Sequence, residues 1–149
     1  MTKILLIVHV LAAIIAIGPV TVAASMFPAA ARHVLAEPDD GRARAVLRNL
    51  HRVCRVYAVV GVVVPVFGLA TAISLHVLGD TWLIVSMVLT AVAAAVLAAL
   101  VLPRQSAVLE GPADVADTRR LAMYTGMFNL LWATVTVLMI VRPGSTTSV

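Results

Sequence analysis

Four histidines, His9, His33, His51 and His76, are the residues of this 149-residue chain whose chemistry reaches beyond packing. An imidazole can ligate a metal, carry a proton near neutral pH or hydrogen-bond a carbonyl. His9 and His76 each lie about one turn inside the end of an apolar run, at what reads as the same depth. Two such imidazoles on facing helices could hold a haem iron from opposite sides. That reading makes His9 and His76 ligands of haem b, in a haem protein or an oxidoreductase built on one. The plainer reading has His9 bonding a backbone carbonyl or a hydroxyl across a bundle, with His76 reaching the membrane interface. His33 and His51 fall beside arginines, where solvation is expected.

Little else in the chain suggests catalysis. It has no phosphate loop, nucleophile elbow or HExxH segment. Cys54 is the single cysteine, so an internal disulfide or a Cys-rich metal site is excluded and a packing role is expected. Met123 and Met127 share a helix face and could take copper(I), which keeps a copper or small-solute permease as an alternative. No Cys or His lies near them in sequence, and packing is the simpler role.

The elements that must position these residues follow from composition. With 62% hydrophobic and 12% charged residues and a mean hydropathy of +1.05, the chain is too apolar for an aqueous domain of this length. Four uncharged runs, at about 4–31, 56–78, 82–103 and 121–141, are each long enough to cross a hydrocarbon layer of roughly 30 Å. Helices are the economical way to do so, because lipid offers no partner for an unpaired backbone group. The expected fold is therefore all-α, a single integral membrane domain built as a four-helix up-down bundle. The first run exceeds the usual signal-peptide core and reads as a retained helix.

Cations set the expected orientation. Nine of the eleven Lys and Arg residues fall in the first and third connections, and only Lys3 and Arg142 fall elsewhere. The excess places both long connections in the cytoplasm and both termini outside, in a bacterial inner membrane. Asp39-Asp40-Gly41 is a helix start, so the second helix should project several turns into the cytoplasm. Arg44, Arg48, Arg52 and Arg55 then share one face of it, as a basic collar or a docking stripe for anionic lipid or a partner's acidic surface. Beside apolar spans, these cations point to lipid and to other membrane subunits, and nucleic acid is not an expected partner. Ala91, Ala95 and Ala99, four apart, form a small-residue face where another helix can approach closely. Pro19 and Pro65 should kink the first two spans, and Asn129 or Trp132 could hydrogen-bond across the bundle.

The segment His9-Val10-Leu11-Ala12 followed by Gly18 resembles the first helix of the copper-resistance D-like membrane proteins and the small integral membrane proteins grouped with them. Together with Phe27-Pro28 and His33, it is also faintly similar to the bacterial membrane-bound protoporphyrinogen oxidase of that broad group. The resemblance implies a four-helix protein and, through the second likeness, a haem link. The reading that asks least of the sparse polar residues is a non-catalytic accessory or structural subunit of a larger membrane assembly, such as a respiratory one.

Overall fold

The computed structural model describes residues 2–111 and 114–144. Every element among them is helical: α1 (Thr2–Ala36), α2 (Gly41–Val60), α3 (Val63–Leu75), α4 (Thr81–Ala95), a π-helical segment (Val96–Val101), α5 (Leu102–Glu110) and α6 (Val115–Val141). They form four long rods, because α2 and α3 run on through one turn and α4, the π segment and α5 are continuous. All four rods are long and apolar enough to cross a membrane. Ile4, Ile14, Val59, Leu130 and Ile140 are among many large apolar side chains left exposed. In water such a surface would aggregate, whereas in lipid it is solvated.

The buried faces repeat every three and four residues. On α6, Thr118, Leu121, Thr125, Phe128 and Val135 are buried. On α1, His9, Ala16 and Ala23 lie seven apart on one buried stripe, with Val20, Ala24, Phe27 and Ala31 beside it. This is the seam spacing of helices that cross at a shallow angle. The alanines let α1 sit close to α2, α3 and α6, which matters where lipid removes the hydrophobic drive between helices. The main core gathers Val20, Phe27, Leu47, Cys54, Leu121 and Phe128.

Prolines shape the rods unequally. α1 stays helical through Pro19 and Pro28. The second rod breaks at Gly61–Val62, where Pro65 has no N–H for the carbonyl of Gly61 and the Val64 amide bonds that carbonyl instead at 3.1 Å. In the third rod Pro103 lies two residues past the end of the π segment. The extra residue of a π turn keeps Leu97, Val101 and Gln105 on the buried side although they recur every four residues. The helix thereby runs past the expected boundary at 103 to Glu110, and α6 begins at Val115 rather than near 121.

Asp40 starts α2 as expected. Its Oδ1 accepts from the amides of Arg42 at 2.9 Å and Ala43 at 3.1 Å. These bonds, led by that from Ala43, hold its carboxyl below the usual carboxylate range. Asp114 caps α6 in a box with Asp117, and His76 closes α3 in the left-handed conformation at φ 58°.

Candidate functional site

His9 is buried, and its Nδ1 lies 2.9 Å from the carbonyl oxygen of Val64 on α3. A carbonyl can only accept, so Nδ1 is the donor here. The contact exists because Gly68, one turn on, has no side chain. A Cβ built there would stand 2.8 Å from His9 Cε1 and 3.2 Å from Nδ1. His9 thus joins two long apolar helices through a carbonyl, the plainer of its two expected roles.

The structure does not bring His76 to it. His76 is exposed at the end of α3, eight residues past Gly68, which is roughly 12 Å along a helix axis. The equal depth expected from counting residues in each apolar run is not observed, because α1 and α3 are offset along their axes. One iron needs both imidazoles at one level. Among the described residues none takes the place of His76 beside His9.

His51 was expected to be solvated and instead is buried. Its Nδ1 is 2.9 Å from Gln105 Oε1, and Ser106 Oγ is 3.3 Å from its Nε2. Gln105 Nε2 in turn points at Cys54 Sγ, 3.6 Å away. The four side chains tie α2 to α5 in the interior, where a satisfied polar network fixes register. Arg44, Arg48, Arg52 and Arg55 occupy the adjoining, exposed face of α2. Arg104 lies over the ring of Tyr124 at 4.9 Å, and Arg142 over Trp82 at 5.7 Å.

At the α1–α2 turn, ligand atoms of His33, Glu37 and Asp40 lie within 4.8 Å of one another on an exposed surface. Asp40 already serves the amides of α2, and its free Oδ2 faces His33 Nε2 at 3.5 Å. Ala91, Ala95 and Ala99 are all exposed. No other helix among the described residues covers that face; Ala93 and Val96 turn inward in their place.

The expected bond across the bundle comes from Asn129, whose Nδ2 donates to Ser25 Oγ at 3.0 Å. It lies beside a cavity of about 210 Å³ between α1 and α6, walled by Ser25, Pro28, Arg32, Thr125, Gly126 and Asn129. Thr125 was not legible as a site residue. Its three-and-four spacing marks it as core, whereas its lack of a partner depends on the neighbouring helix.

Comparison of the chain with protein-family models, curated proteins and solved structures finds no match. The likeness of the first helix to the copper-resistance D-like group therefore stands on those residues alone.

Proposed function

We propose that this chain is a non-catalytic, accessory four-helix subunit of a larger bacterial inner-membrane assembly, with respiratory complexes the first place to look. The observation that carries this reading is the exposure of Ala91, Ala95 and Ala99. Small residues in that register suit close helix contact, and no other helix among the described residues covers them. The nine arginines at one end favour both long connections on the cytoplasmic side. There the exposed stripe of Arg44, Arg48, Arg52 and Arg55 is suited to anionic headgroups or to an acidic surface of the partner.

The test is substitution of Ala95 by Leu, followed by extraction in mild detergent. Loss of co-purifying polypeptides with the helical content unchanged supports the reading. A wild-type chain that always purifies without them overturns it.

A further inference from the structure

Six hydroxyl groups in these helices are satisfied locally. Thr71, Ser86, Thr90, Thr134 and Thr136 each donate to the carbonyl four residues earlier, at 2.7–3.0 Å, and Thr118 donates to Val115 at 2.8 Å. Such bonds are the ordinary fate of a hydroxyl in a membrane helix. Thr125 departs from this pattern. It is only 3% exposed, and its Oγ1 has no partner. The other buried side-chain atom left unpaired among the described residues is Asn129 Oδ1. Both residues line the cavity between α1 and α6, the two atoms lying just behind its surface. Burying two such groups unpaired costs about 1–3 kcal/mol each, so their convergence on one space calls for an occupant.

We propose that this groove binds the hydroxyl end of a membrane amphiphile, the chemistry shared by a quinol and a diacylglycerol. Thr125 and Asn129 are one helical turn apart and therefore neighbours on one face of α6. A single ligand oxygen between them can accept from the Thr125 hydroxyl and donate to Asn129 Oδ1. A bare carbonyl cannot donate to Oδ1, and an ammonium leaves the Thr125 proton without an acceptor, whereas a hydroxyl meets both. A hydroxyl also serves if the Asn129 amide is turned over, since it can accept from Nδ2 instead. Arg32, two turns from Ser25 along α1, stands at the other end of the same groove. No carboxylate among the described residues pairs with it, and it can donate to a second ligand oxygen, an ester carbonyl or the far ring oxygen. The exposed apolar side chains of Val22, Met26 and Leu130 next to the groove offer a bed for the hydrocarbon tail. The inference is independent of any partner subunit.

Gly126 supplies a decisive variant. A Cβ there meets nothing within 4 Å, so the side chain of Gly126→Leu leaves the backbone into open space and occupies the groove that Gly126 lines. The full chain in phosphatidylcholine nanodiscs is titrated with dioleoylglycerol or with decylubiquinol, and bound ligand is counted by native mass spectrometry. Saturable binding of at least one is expected. Thr125→Val and Asn129→Leu should each weaken it about tenfold, the loss of roughly one hydrogen bond, and Gly126→Leu should abolish it. The acetylated diacylglycerol, which has no hydroxyl, should bind about tenfold more weakly than the parent by the same measure. Binding of dioleoylglycerol alone assigns the groove to a lipid, and binding of decylubiquinol alone assigns it to a redox carrier. The proposal is overturned if neither ligand saturates, as a groove holding only water would behave, or if Gly126→Leu binds like the wild type.

Discussion

Gly68→Ala tests the seat of His9 in numbers. The added Cβ would stand 2.8 Å from His9 Cε1, whereas carbon atoms rest at about 3.5 Å or more, so the ring must retreat by roughly 0.7 Å. Val64 and Gly68 are one turn apart on the same face, and a retreat from one is a retreat from the other. The 2.9 Å bond to the Val64 carbonyl then stretches to about 3.6 Å, beyond hydrogen-bonding range. Overpacking of about 1–3 kcal/mol and loss of a buried bond of about 1 kcal/mol together give a destabilisation of about 2–4 kcal/mol. In a His9→Ala background the same substitution meets no ring. There it should be neutral, or stabilising by up to about 1 kcal/mol through removal of a helical glycine. The assay is a double-mutant cycle on reversible unfolding in mixed micelles, followed by circular dichroism. Equal destabilisation by Gly68→Ala in both backgrounds would refute the proposed seat.

Gln105→Leu should lower stability by about 1–3 kcal/mol because it leaves the buried His51 Nδ1 unpaired, and His51→Leu in the same chain should restore most of the loss; unfolding of the single and double variants measures this. The carboxyl of Asp40 is held below its usual range chiefly by the Ala43 amide. Its stabilising contribution is therefore complete above the unfolded value of about 3.9 and fades as pH falls through the lower folded one. Wild type should accordingly lose more thermal stability than Asp40→Asn between about pH 4 and pH 2, as read from paired melts. Replacing Arg44, Arg48, Arg52 and Arg55 together with Gln should weaken association with anionic vesicles by an amount that shrinks as salt rises, measured by flotation.

How much of this was legible in the sequence depends on whether a feature is set along one helix or between two. The uncharged runs declare four helices because burial in lipid is a property of each segment alone. The start of α2 at Asp40 and the exposed arginine face of α2 are likewise local. His9 could be placed on the inner face from its seven-residue spacing to Ala16 and Ala23, but its partner could not, since the offset of α1 against α3 is set by packing at Gly68. His51 looked solvated because Arg48, Arg52 and Arg55 surround it in sequence; on the helix it stands at the edge of the buried face of Ala43, Leu47 and Cys54, beside the arginine stripe, and it is the packing of α5 that covers it. Gln105 was hidden by Pro103, which reads as a boundary although the π segment lets the helix continue. Ala91, Ala95 and Ala99 were recognisable as a small-residue face, and only the fold shows that no other helix among the described residues covers it.

The accessory-subunit reading stands or falls on what accompanies the chain out of its own membrane. The direct measurement is the native mass and polypeptide content of the particle released by mild detergent. The account predicts a particle holding other membrane polypeptides, which Ala95→Leu releases. A particle holding this chain alone, or only copies of it, would contradict the account.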